Sequence, residues 1–303
     1  MNLKHLAATV LAAGVSFGSQ ATSNISPSHS FAYGANIGWI NWHPSAANGA
    51  VVGQLFLSGH LWSANCGWIS LGSGSPANGF RYQNNGAADF GVNVNPNGSL
   101  SGYAYGANIG WIRFSEQTAS GSLPATQIPQ LDLKTGRLGG YCYSANCGWI
   151  DLGNEVAFVK TTGIDPGPDS DGDLIPDSWE LKQTGSLNKL SQTGDLDGDG
   201  VSDLDEYLAD TDPTDPSDQL RLTHIVTNGE GAKVGLTWTS KLSRCYVIQK
   251  REDLLNGAWA DSASPGQVSP DVGPTTSRVV VAPPAERQFY RVRSVVPGAD
   301  FGL

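Results

Sequence analysis

The residues best suited to chemistry are carboxylates, and they are crowded. Of 28 acidic residues, sixteen lie between positions 165 and 218, where Lys182 and Lys189 are the only bases, a net of −14. Sixteen carboxylates that close repel one another unless a cation sits among them. In Asp195-Leu-Asp197-Gly-Asp199-Gly200-Val201-Ser-Asp203-Leu-Asp-Glu206, carboxylates fall at positions 1, 3, 5, 9 and 12, with glycine at 6. That is the ligand spacing of a twelve-residue calcium loop. Calcium takes six to eight oxygens at roughly 2.3–2.6 Å, and alternate residues of a tight loop turn their oxygens inward. Val201 offers its backbone carbonyl at position 7, and Glu206 can close the shell with both oxygens.

A second loop precedes it. Asp169-Ser-Asp171-Gly-Asp173-Leu-Ile175-Pro-Asp177-Ser-Trp-Glu180 repeats carboxylates at 1, 3, 5, 9 and 12, with the Ile175 carbonyl at position 7. Its glycine, Gly172, stands at position 4 and not 6. Pro166 and Pro168 exclude an entering helix, so the expected unit is loop–helix rather than helix–loop–helix. At least two Ca2+ ions are expected, and Asp210, Asp212 and Asp215 either add ligands or cap a neighbour.

These two loops, followed by Thr-Asp-Pro-Thr-Asp-Pro at 211–216, resemble bacterial thrombospondin type 3 repeats. The resemblance covers about residues 165–218. It implies a calcium-loaded, rod-like spacer in a secreted or surface protein. It also implies that Asp169, Asp171, Asp173, Asp177 and Glu180 serve one site, and Asp195, Asp197, Asp199, Asp203 and Glu206 the next.

The elements on either side read as β-structure, and the predicted fold class is mainly β. Residues 22–163 carry a phrase four times: Tyr33-Gly-Ala-Asn-Ile-Gly-Trp39-Ile40, Trp62-Ser-Ala-Asn-Cys-Gly-Trp68-Ile69, Tyr105-Gly-Ala-Asn-Ile-Gly-Trp111-Ile112 and Tyr143-Ser-Ala-Asn-Cys-Gly-Trp149-Ile150. Copies one and three read Gly-Ala-Asn-Ile, and copies two and four Ser-Ala-Asn-Cys, so one two-copy unit is duplicated. Each copy reads as a hairpin, with Asn suited to the turn. Period-two alternation puts Ile40 with Trp42, Ile69 with Leu71, Ile112 with Phe114 and Ile150 with Leu152 on the core face. Trp39, Trp68, Trp111 and Trp149 fall on the other face, each followed there by a polar residue: Asn41, Ser70, Arg113 and Asp151. These indoles either pack on neighbouring repeats or form exposed platforms for a sugar or another flat partner.

Four cysteines allow three pairings. Cys142 and Cys147 are expected to face each other across a tight hairpin as a local disulfide. The rival is Cys66–Cys147, at equivalent repeat positions. No cysteine or histidine spacing fits a zinc cluster.

Residues 219–303 carry short β-type runs such as Val234–Thr239 and Cys245–Gln249, separated by Gly, Pro, Asn and Asp. They predict a small β-sandwich, loosely similar to fibronectin type III modules, with Trp238 and Trp259 in its core. At the start, Leu6–Phe17 is an apolar run too short to span a bilayer, followed by Ser19-Gln20-Ala21, so residues 1–21 read as an export signal. The expected organisation is signal, repeat domain at 22–163, calcium segment at 164–218 and sandwich at 219–303.

The net charge of −10 argues against a nucleic-acid partner. No nucleophile elbow, phosphate loop or His-Glu-x-x-His motif is present. The expectation is a secreted or cell-surface calcium-binding protein that is not an enzyme. It would adhere to a glycan or surface through residues 22–163, with calcium rigidifying the spacer. A structural envelope or matrix component without a specific ligand is the alternative. A hydrolase acting on polysaccharide stands third, with Asp89, Glu116, Asp132, Asp151 and Glu155 the carboxylates from which it would draw a pair.

Overall fold

The computed structural model describes residues 22–118, 121–227, 233–281 and 288–298, so the export signal expected at 1–21 lies outside the described residues. The chain is mainly β, with two α-helices among the described residues. None of its described helices is long and apolar enough to cross a membrane.

The four repeats form four antiparallel hairpins. Hairpin 1 joins Ile25–Gly34 to Gly38–Asn41, and hairpin 2 joins Leu57–Ser63 to Gly67–Gly72. Hairpin 3 joins Leu100–Gly106 to Gly110–Phe114, and hairpin 4 joins Tyr141–Ser144 to Gly148–Asp151. Neighbouring hairpins pair edge to edge at Asn41↔Trp62, Ser70↔Tyr105 and Arg113↔Tyr143. Hairpin 4 then pairs with hairpin 1 at Tyr33↔Asp151. The eight strands therefore close into a barrel, which removes the free edges that four separate hairpins would expose.

Barrel closure sorts the two faces. Ile40, Trp42, Ile69, Leu71, Ile112, Phe114, Ile150 and Leu152 all lie inside, none more than 2% exposed. An eight-stranded barrel has just enough interior for side chains to fill. Each such burial contributes on the order of 1.5–3 kcal/mol relative to exposure.

At the hairpin tips the closure is also polar. Asn65 Nδ2 donates to the Ile37 carbonyl of hairpin 1 at 3.0 Å, and Asn108 Nδ2 to the Cys66 carbonyl of hairpin 2 at 3.1 Å. Asn146 donates to the Ile109 carbonyl at 3.0 Å, and Asn36 to the Cys147 carbonyl at 3.1 Å. Each tip thus holds the tip before it, and the last is held by the first. Gly38, Gly67, Gly110 and Gly148 follow with φ of +71°, +78°, +71° and +80°, the left-handed turn position that favours glycine.

The two repeat variants differ by a steric exchange. A Cβ at Gly34 would stand 2.7 Å from Ile37 Cγ1, and one at Gly106 2.9 Å from Ile109 Cγ1. Where the tip residue is the smaller Cys66 or Cys147, the same strand position holds Ser63 or Ser144. Those hydroxyls donate across the seam to the Ile37 and Ile109 carbonyls.

The cysteine pairing expected from the sequence does not form. Ser144 pairs with Gly148 at the turn, so Cys142 lies opposite Ile150, and Cys147 belongs to the turn itself. All four cysteines are free and buried.

The described residues between 219 and 298 give two facing sheets. One contains Leu222–Thr227, Lys233–Thr239 and Thr275–Val281, and the other is built on Cys245–Arg251 and Phe289–Val295. Val234, Leu236, Trp238, Tyr246, Ile248, Val268 and Val280 fill the space between. Trp238 is a core residue, as expected. Trp259 is not: it is half-buried, under the guanidinium groups of Arg251 and Arg291 at 5.9 and 4.7 Å from its ring.

Candidate metal centre and aromatic girdle

The acidic segment folds into two loops of one design. Helix α1 (Asp177–Thr184) leaves the first and α2 (Asp203–Ala209) the second. In the first, Asp169 Oδ1 accepts from Gly172 N and Oδ2 from Leu174 N. In the second, Asp195 Oδ1 accepts from Gly198 N and Oδ2 from Gly200 N. Asp173 caps the Ile175 amide as Asp199 caps Val201. The missing glycine at position 6 does not change the path. Leu174 takes φ +76° where Gly200 takes +92°, so the loops match and the leucine bears the strain.

The triads Asp169, Asp171, Asp173 and Asp195, Asp197, Asp199 each bring carboxylate oxygens within 4.8 Å of one another, close enough to hold a metal ion. Glu180 and Glu206, at 0% and 1% exposure, complete the picture. Both Glu180 oxygens, Asp173 Oδ2, Asp197 Oδ2 and Glu206 Oε2 are buried without a hydrogen-bond partner among the described residues. Burial, and then Asp173 and Asp171, push the Glu180 carboxyl up to about 7. Burial, and then Asp197, push Glu206 up to about 8. Burying a carboxylate oxygen without a donor is costly, and a cation removes that cost. Every side-chain ligand offered is a carboxylate oxygen, which suits a hard cation.

Not every residue expected from the spacing converges on the triads. The Asp177 carboxylate is taken up by the Ser170 amide and hydroxyl. Asp203 is taken up by the amides of Ser191 and Leu196, both at 3.0 Å. Position 9 therefore closes each loop, consistent with a ligand that acts through water. Ile175 is fully buried against Trp179, Leu190 and Tyr207, and Val201 is half-buried. Asp212 and Asp215 cap Thr214 and Ser217 in their own turns.

Asp210, expected to add a ligand or a cap, is the C-cap of α2 and also a hub between the helices and the sandwich. It accepts from Trp179 Nε1 at 2.9 Å, Lys182 Nζ at 3.3 Å and the Ser243 hydroxyl. Burial alone would raise its carboxyl, but Arg244, Lys182 and the hydrogen bonds outweigh that and hold it below the usual range. Arg244 also donates to the Leu208 and Tyr207 carbonyls at 3.0 and 2.6 Å. On the opposite side Gln54 Nε2 donates to the Tyr207 hydroxyl at 2.8 Å. The segment is thus clamped between barrel and sandwich and does not stand off as the free rod its resemblance implies. The pattern of carboxylates gives no sign of this, because the contacts come from α1 and α2.

The second candidate site lies outside the barrel. Trp39, Trp68, Trp111 and Trp149 are 52, 49, 43 and 46% exposed. Each leans against the aromatic residue opposite in its hairpin, edge-on in hairpins 1 and 2 and tilted in hairpins 3 and 4. Tyr33–Trp39 and Trp62–Trp68 centroids are 4.9 Å apart, Tyr105–Trp111 4.8 Å and Tyr143–Trp149 5.0 Å. Eight exposed rings therefore girdle one end of the barrel. The partner rings were visible as the first residue of each repeated phrase, six positions before the Trp.

Of the scattered carboxylates, Asp89, Asp132 and Asp151 accept backbone amides within their own loops. Comparisons with family models, curated proteins and solved structures find no match to this chain.

Proposed function

We propose that this is a secreted or cell-surface calcium-binding protein without catalytic activity, which adheres to a glycan or glycan-rich surface through the girdle of its barrel. The observation that carries the adhesive part is the four-fold repetition of exposed ring pairs. A soluble fold gains nothing from leaving eight large rings half in water, and such rings stack on the apolar faces of sugars. Weak contacts of this kind add when the partner is itself repetitive.

Calcium is the cation of choice for the two loops because it tolerates irregular shells of six to eight oxygens. Two ions would neutralise the orphaned carboxylates of Asp173, Glu180, Asp197 and Glu206. They would then fix α1 and α2, and through Asp210 and Tyr207 hold barrel and sandwich in one arrangement.

The test is binding of the calcium-loaded protein to immobilised polysaccharides, with single Trp39→Ala, Trp68→Ala, Trp111→Ala and Trp149→Ala variants. Graded losses with unchanged melting support the reading. Absence of binding to every polysaccharide, with folded protein, refutes it and leaves the structural envelope role.

A further inference from the structure

The four ring pairs are not equivalent, and the difference lies in what flanks them. On the outward face each first-strand ring sits in register with the polar residue of the preceding hairpin: Trp62 with Asn41, Tyr105 with Ser70, Tyr143 with Arg113 and Tyr33 with Asp151. Three of these side chains are already engaged. Asn41 Oδ1 accepts the His43 amide, Ser70 Oγ the Gly72 amide, and Asp151 the Gly153 amide and the Asn154 side chain. Arg113 is different. It is exposed on the outward face between buried Ile112 and Phe114. No hydrogen bond, ion pair or ring contact occupies its guanidinium among the described residues.

Arg113 also sits where the girdle is thickest. It is in register with Tyr103 on one side and Tyr143 on the other. Along the strand lies Trp111, with Tyr103, Tyr105 and Phe90 at centroid distances of 6.0, 4.8 and 5.1 Å from its ring. No other hairpin gathers so many rings around its Trp among the described residues. An uncommitted guanidinium offers five donors in a fork that matches carboxylate and sulfate oxygens. Rings on both sides offer the platforms for the apolar face of a pyranose.

We infer that the seam between hairpins 3 and 4 binds an acidic sugar residue, the Arg113 guanidinium taking its anionic group and the neighbouring rings its apolar face. The inference rests on the glycan-binding reading above and names the class of glycan. The anion is a uronate carboxylate or a sulfate ester, two sources of one chemistry. A lipid surface fits less well. The tips beyond the rings carry Ala-Asn pairs with no large apolar side chain to enter an acyl layer, and the second-strand positions behind the Trp rings are the polar Asn41, Ser70, Arg113 and Asp151.

The experiment uses the full-length protein in saturating calcium, with four probes: hyaluronan (carboxylate only), dextran sulfate (sulfate only), neutral dextran and phosphatidylserine vesicles. The wild type should bind one or both acidic polymers more tightly than dextran, and the better acidic probe identifies the anion. Arg113→Gln should weaken that binding roughly tenfold or more, the loss expected for a charge-assisted hydrogen-bonded pair. It should leave binding to neutral glycan and the melting temperature unchanged. Arg113→Lys should recover only part, because a point charge lacks the fork. Equal affinity for acidic and neutral polymers, or no effect of Arg113→Gln, overturns this inference while leaving the glycan reading intact. Binding to no polysaccharide removes both, and Arg113-dependent binding to vesicles alone assigns the seam to lipid headgroups.

Discussion

The barrel and the acidic segment solve the same problem in opposite ways. Both are repeats, and both must satisfy polar groups at the tips of tight turns. The barrel satisfies them from within: each tip asparagine finds the carbonyl of the hairpin before it, and the ring closes. The acidic loops satisfy their backbone amides with Asp169 and Asp195 but leave both oxygens of Glu180 and one of Glu206 orphaned in the interior. One repeat satisfies its polar groups within the polypeptide, and the other leaves carboxylate oxygens that could hold a metal ion.

The largest expected effect is therefore from metal removal. Chelation should expose residues 165–218 to protease while residues 22–163 remain resistant, followed by mass spectrometry of the fragments. At an ion concentration about a thousandfold above its dissociation constant, each site adds about 4 kcal/mol by linkage. Glu180→Gln and Glu206→Gln should each reduce the bound ions by one. If both regions were cut at the same rate with and without chelator, the contrast between them would collapse.

Acidity should sharpen the contrast next. In the metal-free protein Glu180 and Glu206 titrate near 7 and 8, above their unfolded value of about 4.3. The folded state then holds protons that the unfolded state has released, so metal-free stability is full below about pH 4.3 and declines as pH rises through 7 and 8. With the ion bound the sign reverses, because the ion requires the deprotonated form. Hydrogen-exchange protection factors of α1 and α2, each taken against the intrinsic rate at the same pH, should be higher at pH 5 than at pH 8 in chelator, and higher at pH 8 than at pH 5 with calcium.

Within the barrel, Gly34→Ser should cost about 1–3 kcal/mol through the clash with Ile37. Adding Ile37→Cys converts the tip to the second variant and should restore most of the loss, as a thermal-melt double-mutant cycle would reveal. Asn65→Ala should cost about 1 kcal/mol, the worth of one hydrogen bond across a seam. The smallest change is a gain. Leu174 is 58% exposed at positive φ, so Leu174→Gly should stabilise the metal-bound form by about 0.5–1 kcal/mol in denaturant titrations.

How much of this was legible depended on whether an interaction was local. The hairpins and their inward Ile, Trp, Leu and Phe residues follow from period-two alternation, which needs no knowledge of neighbours. The two loops follow from spacing for the same reason. Barrel closure did not, since single pairs such as Tyr33↔Asp151 and Asn41↔Trp62 join segments whose register no local pattern records. The disulfide expectation failed by turn register, which puts Ile150 and not Cys147 opposite Cys142. The clamp was hidden because Asp210 reads as one more acid in an acidic run, and its role appears only when Ser243 and Arg244 arrive from another module.

The cyclic tip contact carries a consequence for ancestry. Hairpins 1 and 2 form one unit and hairpins 3 and 4 another, and the seam inside each unit repeats the seams between them. A half-length chain carrying a single unit would end in two open edges, each the complement of the other. Two copies, related by a two-fold axis, could close the same ring. The present sequence reads as such a homodimer fused into one chain. The two halves are no longer identical: the Arg113 seam faces Tyr143 where its counterpart Asn41 faces Trp62.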